Sequence, residues 1–324
     1  MLVAFLGNFS AAFVPAVQRH LSMPCELMAG DEAAIADRLR EVDVLVTLAL
    51  TGAMAKAATR LRLVQVPGAG TDGIPVEALS KGTLLANAYG HETAIAEYVL
   101  GAMIALTRDF LLLDAALRRG EWPGHWVPGG DGKLAVWPEM AGNTVGILGY
   151  GRIGREVARR ARAFNMGICA IRGRAGSEAV SDDGLIGGQN MLEEVLRRSD
   201  YVVVAMPATP ATIGSIGAPQ LALMRPGAFL INVARGAIVD EAALYDALAA
   251  RRIAGAALDV WYQYPRDTDP ALPARLPFHD LPNVLMTPHI SGATEGMLDA
   301  RARVIAENIR RVAQGKVPLN LVPR

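Results

Sequence analysis

Short, almost wholly apolar runs recur along the chain and alternate with stretches where apolar residues return every three or four positions. The runs lie at 2–6, 42–47, 61–66, 145–148, 168–171, 201–205, 229–233, 255–260 and 284–287. Runs this short and uniformly apolar are predicted as strands buried on both faces, with helices covering them, so the pattern predicts parallel sheets of repeated β-α units. They fall into two groups. The first ends near residue 90, where an apolar segment over 94–117 is predicted as a helix. The second opens at Thr144, after a Trp-, Pro- and Gly-rich connection over 122–138. The closing segment, 297–314, mixes Arg and Glu with apolar positions, which predicts a helix with one apolar face returning to the first domain.

At 324 residues and 52% hydrophobic, the chain can bury two substantial cores. Lys+Arg and Asp+Glu both total 32. That balance predicts no nucleic-acid partner and no anionic membrane, and leaves small molecules as expected partners. Glu97, Arg108 and Asp109 interrupt the 94–117 segment, so it is expected to be a soluble interface helix, not a membrane span. The apolar first residues lack a basic region and break at Gly7 and Asn8, which suits a buried strand better than a signal peptide. Cys25 and Cys169 stand alone, without metal-ligand or redox spacing. No metal, no disulfide framework and a cytoplasmic location are the expectations.

The strongest local signal is Thr144-Val-Gly-Ile-Leu-Gly-Tyr-Gly-Arg-Ile-Gly-Arg-Glu-Val-Ala-Arg159, an apolar strand leading into a glycine-spaced turn and a helix. Gly149 permits the tight turn, Gly151 admits a pyrophosphate against the backbone, and Gly154 lets helix and strand pack closely. The first helical turn, with Arg152 and Ile153, offers N–H groups to the phosphates. Glycine turns also join strands and helices where no nucleotide binds; the strand before and helix after this one predict a nicotinamide or flavin dinucleotide.

Other strand ends carry polar side chains where parallel sheets place their ligands. Arg235 follows the run 229–233, and its guanidinium can fork onto a carboxylate and polarise an adjacent carbonyl, although Arg-Gly pairs also occur in plain surface turns. His289 follows the run 284–287, directly after Pro288, and an imidazole there can move a proton near neutrality; His20, His91, His125 and His279 compete for that role. Asp259 stands at another strand end, either as a partner for a nicotinamide carboxamide or as a simple cap. Ala69 and Gly70 lie in a glycine-rich turn whose backbone N–H groups can bind an anion. Trp126, Trp137, Trp261 and Tyr262 suit either a pocket for an aromatic substrate or ordinary packing.

Taken in order, Gly68-Ala-Gly-Thr-Asp72, Ala94-Ile-Ala-Glu-Tyr98, the 149–154 turn, Met224-Arg-Pro-Gly-Ala228, Leu230-Ile-Asn-Val-Ala-Arg-Gly236, Ala257-Leu-Asp-Val260 and Pro288-His-Ile-Ser-Gly292 resemble the D-isomer-specific 2-hydroxyacid dehydrogenase family over nearly the whole chain. Its members include glycerate and phosphoglycerate dehydrogenases, glyoxylate reductases and formate dehydrogenase. The resemblance implies two Rossmann-like α/β domains. One is a discontinuous, flavodoxin-like substrate domain of residues 1–92 and 290–324. The other is a doubly wound parallel-sheet cofactor domain of residues 93–289 that carries a dimerisation helix. It further implies a homodimer and an active site in the cleft between the domains, with Arg235 binding the substrate carboxylate and His289 as general acid/base. Pro207, Ala234 and Asp259 fall on the cofactor side, and Ala69, Gly70 and His91 on the substrate side.

Three departures from the family pattern matter. The segment that in most members supplies a glutamate to the catalytic histidine reads Asp259-Val-Trp-Tyr-Gln-Tyr264-Pro265, so Tyr264 takes the glutamate's place. A neutral phenol orients an imidazole without stabilising its cation, so His289 is expected to titrate lower than in relatives. His91 and Glu92 replace a usual asparagine and threonine. Arg172 stands 18 residues beyond Gly154, where NAD-preferring members carry an acidic residue, and Arg174 follows closely. Two guanidinium groups there suit a 2′-phosphate, so NADP is the expected cofactor, with NAD as the alternative. The leading expectation is an NAD(P)H-linked reductase of a small 2-oxo acid, equally a D-2-hydroxyacid dehydrogenase. A formate-dehydrogenase-like oxidation of a small anion and a dinucleotide-sensing dimer of weak activity are the alternatives.

Overall fold

The apolar runs form strands because residues such as Val3, Phe5, Val202 and Ile231 are wholly buried between two helical layers. The computed structural model describes residues 1–123, 135–173, 184–265 and 270–323, and the backbone course of 179–181. The chain divides into two compact units, Met1–His91 with Ala293–Arg324, and Glu92–Gly292.

The first unit holds five parallel strands: β1 (Leu2–Leu6), β2 (Glu26–Gly30), β3 (Val44–Val46), β4 (Leu63–Gln65) and β5 (Leu84–Ala86). Their order, β2-β1-β3-β4-β5, is the flavodoxin-like one. The apolar pattern does not predict β2 or β5, and both are sheet edges. Edge strand β2 is half in solvent and so lacks a continuous apolar run. The helix Glu295–Ala313 places Ile305 and Ile309 against Val3, Phe5 and Leu63. Thr294 starts that helix by accepting from the Met297 N–H at 3.2 Å.

The second unit contains β6 (Thr144–Leu148), β7 (Gly167–Ile171), β8 (Ala179–Ser181), β9 (Gly184–Gly187), β10 (Tyr201–Val204), β11 (Phe229–Asn232), β12 (Gly255–Leu258) and β13 (Val284–Met286). The sheet runs β13-β12-β11-β10-β6-β7-β9-β8, parallel throughout except that β8 pairs antiparallel with β9. Strand order reverses between β6 and β10, the position where doubly wound sheets open a crevice. The helices Glu92–Thr107 and Arg152–Ala163 cover Val145, Ile147, Val203 and Ile231 on one face.

The 94–117 segment is not one helix. It breaks at Asp109, whose φ of 50° is left-handed, into Glu92–Thr107 and Phe110–Arg118. The second piece leaves Phe110, Leu111, Leu112 and Leu117 exposed. Among the described residues, no helix is long and apolar enough to cross a membrane, and no cluster of His, Cys, Asp and Glu could hold a metal ion.

Candidate active site

The glycine turn between β6 and the helix Arg152–Ala163 is set by close backbone approach. Gly149 has φ +112°, and a Cβ there would lie 2.6 Å from the Met206 nitrogen and 2.7 Å from the Ala205 carbonyl carbon. A Cβ on Gly154 would sit 2.4 Å from the Gly149 oxygen. Gly149 therefore lets the turn press onto the segment after β10, next to Pro207, and Gly154 lets the helix press onto the turn itself. Gly151 differs, because a Cβ there would meet no heavy atom within 4 Å. Helices beginning at Glu32, Gly52, Glu241 and Glu295 each receive a side-chain cap from Asp31, Thr51, Asp240 and Thr294. The helix Arg152–Ala163 begins at Gly151 without one, and a helix start left without a side-chain cap is the kind of backbone end that can receive a phosphate. Arg172 lies exposed just beyond β7, its backbone N–H bonded to the Gly187 oxygen at 3.0 Å. Arg174 lies outside the described residues, as does Trp126.

The opposite half of the sheet carries the acid–base groups. After β11, the Asn232 side chain accepts from the Ala234 N–H at 3.1 Å and donates to the Arg235 oxygen at 3.1 Å, which shapes the turn presenting Arg235. Gly236 is required next, since a Cβ would fall 2.4 Å from the Trp261 oxygen. The Arg235 guanidinium is part-buried and donates to the Ala234 oxygen at 2.8 Å.

His289 occupies the loop after β13 with φ +58°, a conformation that costs a residue bearing a Cβ about 1–2 kcal/mol. Asp259, at the end of β12 and fully buried, offsets that strain. Its Oδ1 accepts from the Thr287 hydroxyl at 2.6 Å and the Ile290 N–H at 2.8 Å, and its Oδ2 accepts from the Ser291 N–H at 2.9 Å. Charge-assisted bonds of this kind are the strong ones. Because the Thr287 hydroxyl proton goes to Asp259, the Tyr98 hydroxyl donates to Thr287, at 2.8 Å. Burial first, then the nearby Asp259 charge, pushes the Tyr98 phenol up to about 12.

Tyr264 stands beside the imidazole, with its Oη 3.0 Å from His289 Nδ1. The same oxygen accepts from the Trp261 N–H at 3.2 Å. One side of His289 remains in solvent, yet protein atoms around the ring hold its pKa below the ordinary histidine value. Asp259 pulls it back up and the Arg235 guanidinium pushes it further down. Arg235 is thus near enough for its charge to reach the imidazole. The structure brings Arg235, His289, Tyr264 and Asp259 into one constellation at the tips of β11, β12 and β13. Trp261 and Tyr262 are core residues. The Trp261 indole donates to the Thr287 oxygen at 2.8 Å, and Tyr262 stacks on Phe278 with centroids 6.2 Å apart. Trp137 bonds Asp109 at 3.1 Å.

Ala69, Gly70 and His91 belong to the first unit. The Ala69 oxygen accepts from the Asn87 amide at 2.8 Å, and the Gly68 oxygen accepts from the Ala88 N–H at 3.0 Å, which tie the glycine-rich turn to the strand end beyond β5. His91 is buried. Sequence reasoning missed Asn232, Thr287, Tyr98 and Asn87, polar residues with no spacing signal because their partners are distant in the chain or are backbone groups.

Comparison with known proteins bears on this geometry. The profile of the D-isomer specific 2-hydroxyacid dehydrogenase NAD binding domain matches residues 100–291. The glyoxylate reductase of Pyrococcus furiosus is 36% identical over 88% of this chain and 84% of its own length. The D-3-phosphoglycerate dehydrogenase of Methanocaldococcus jannaschii is 34% identical over 88% of this chain, which spans about half (52%) of that relative. A solved 2-hydroxyacid dehydrogenase from Ketogulonicigenium vulgare Y25 superposes with a TM-score of 0.79 at 27% identity, covering 99% of this chain and 98% of that one. With its two parallel-sheet units and its glycine turn at the switch point, the chain belongs to the D-isomer specific 2-hydroxyacid dehydrogenase family of oxidoreductases.

Proposed function

We propose that the protein transfers a hydride between a nicotinamide dinucleotide and a small 2-oxo acid, the reverse reaction oxidising a D-2-hydroxy acid. The observation that carries this reading is the placement of Arg235 after β11 and His289 after β13, at the same end of the sheet on either side of β12, with the guanidinium charge acting to depress the imidazole. Arg235 holds the substrate carboxylate and polarises the carbonyl, and His289 supplies the proton to the new hydroxyl and removes it in reverse. The dinucleotide, when bound, supplies the hydride. Gly149, Gly151, Arg152, Ile153 and Gly154 hold its pyrophosphate, with Pro207 and Ala234 along its path. Asp259, assigned to the nicotinamide side of the site, is buried and accepts three hydrogen bonds, so it acts there by fixing the His289 loop. In the first unit, Ala69, Gly70 and His91 are the residues we assign to substrate binding.

Arg172, exposed beyond β7 where a carboxylate would repel a 2′-phosphate, supports NADPH over NADH, and the sequence adds Arg174. The exposed Phe110, Leu111, Leu112 and Leu117 support a homodimer, and the neutral charge balance and two separated cysteines support a cytoplasmic enzyme. Steady-state reduction of glyoxylate and hydroxypyruvate with each cofactor tests the reading. Turnover with a lower KM for NADPH is expected, and Arg235→Gln is expected to lower kcat/KM by about 100-fold or more, as when a charged substrate partner is lost. Absence of turnover across a broad set of 2-oxo acids sinks the enzymatic reading, and a clear NADH preference sinks the arginine clamp.

A further inference from the structure

Tyr264 does more than fill the place of a carboxylate. Its Oη has two partners in the fold, the Trp261 N–H and His289 Nδ1. An N–H only donates, so Trp261 uses one lone pair of Oη, and the phenolic proton is available to be given to Nδ1. A neutral imidazole that accepts at Nδ1 carries its own proton on Nε2. With a carboxylate in this place the arrangement inverts, because a carboxylate only accepts and therefore requires a proton on Nδ1. About half of the Tyr264 surface (48%) is in solvent, so the phenol can exchange protons with water.

Resting on the reductase reading above, we propose that Tyr264 and His289 form a two-proton relay that protonates the substrate from a neutral imidazole. As the carbonyl carbon accepts a hydride from the reduced dinucleotide, its oxygen takes the Nε2 proton and Nδ1 takes the proton of Tyr264 Oη. One O–H bond forms on the product, one N–H bond moves across the ring, and one O–H bond breaks on the phenol. The phenolate is held by the Trp261 N–H and regains its proton from water. Oxidation of the hydroxy acid runs the same transfers backwards. The imidazole never has to become a cation, which suits a ring whose neighbours are a guanidinium and a phenol. Asp259, the one carboxylate among the described residues whose charge is felt there, is engaged by Thr287, Ile290 and Ser291.

Two measurements test the relay. Long-range proton–nitrogen NMR of the histidine-labelled protein without cofactor is expected to show His289 at neutral pH protonated on Nε2, with Nδ1 as acceptor, and Tyr264→Phe is expected to shift that tautomer balance. A proton on Nδ1 in the wild type overturns the proposal. In 2-oxo-acid reduction, Tyr264→Phe is expected to lower kcat about 100-fold, in the range of lost acid–base assistance, with KM within about threefold. The curved dependence of rate on deuterium fraction should become linear as one of two moving protons is lost. Tyr264→Glu should restore much of the rate but add a fall in activity as pH rises through the histidine range, because its imidazole must start as a cation. A Tyr264→Phe enzyme with wild-type kcat overturns the relay alone, whereas a wild type that reduces no 2-oxo acid overturns the functional reading with it.

Discussion

Two loops of the second unit sit at strand tips and reach their shapes by opposite means. The turn after β6 is built from missing side chains: Gly149 and Gly154 let backbone approach backbone to distances no Cβ tolerates, and Gly151 keeps space open. The loop after β13 is built from one side chain, because Asp259 collects three donors and holds His289 in a left-handed conformation. The first arrangement is steric, so it resists every substitution at the tight positions and tolerates change where space is free. The second is electrostatic, so it depends on a single carboxylate and on the burial that strengthens its bonds.

The comparison breaks most easily at Gly149. Gly149→Ala combines overlap with the Ala205–Met206 backbone and a φ of +112°, and is expected to cost about 2–5 kcal/mol; a urea midpoint matching the wild type would show that the turn yields. Next comes Asp259→Asn. An amide NH₂ turned toward an N–H or O–H donor leaves that donor unmatched, for about 2–3 kcal/mol, measured in the same denaturation series. Loosening His289 should also slow 2-oxo-acid reduction about 100-fold. Gly151→Ala separates binding from folding: with nothing within 4 Å of the added methyl, stability should move by less than about 1 kcal/mol. Dinucleotide affinity, read by fluorescence titration, should weaken roughly tenfold where the methyl meets the pyrophosphate. Equal losses of affinity and stability would contradict the distinction between open and closed glycines.

The smallest effect is the pH dependence of stability. His289 has a folded pKa below its unfolded one, near 6.5. Between those two values the unfolded chain binds more protons, so this residue's contribution to stability is present above about pH 6.5 and is lost as pH falls toward the folded pKa. His289→Asn, which tolerates the left-handed backbone, should flatten the acid side of the stability curve. An unchanged curve would place that sensitivity elsewhere.

The steric loop is the one the chain displays openly. Glycines at 149, 151 and 154, a preceding apolar run and a following helix are contiguous, so their meaning is local. Arg235, Asp259 and His289 are also legible, each at the end of an apolar run, but only as separate candidates. The Asp259 bonds to the His289 loop span about thirty residues of chain, and the Tyr98–Thr287 contact spans 189. No periodicity encodes such pairs. The edge strand β2 was hidden because an edge strand need not be apolar on both faces, and β5 because its three apolar residues are too short a run to stand out. The break at Asp109 was hidden because the apolar run continues through it.

What the chain alone determined is the alternation that makes two parallel sheets, the glycine turn, and the residue types at each strand tip, because burial and backbone sterics act through near neighbours. Tertiary structure alone decided which tips stand side by side, that Asp259 spends its oxygens on the His289 loop, and that the Tyr264 phenol meets Nδ1 with a second hydrogen bond behind it. Those outcomes depend on sheet order and on the direction of individual lone pairs, which exist only after the strands have been laid next to one another.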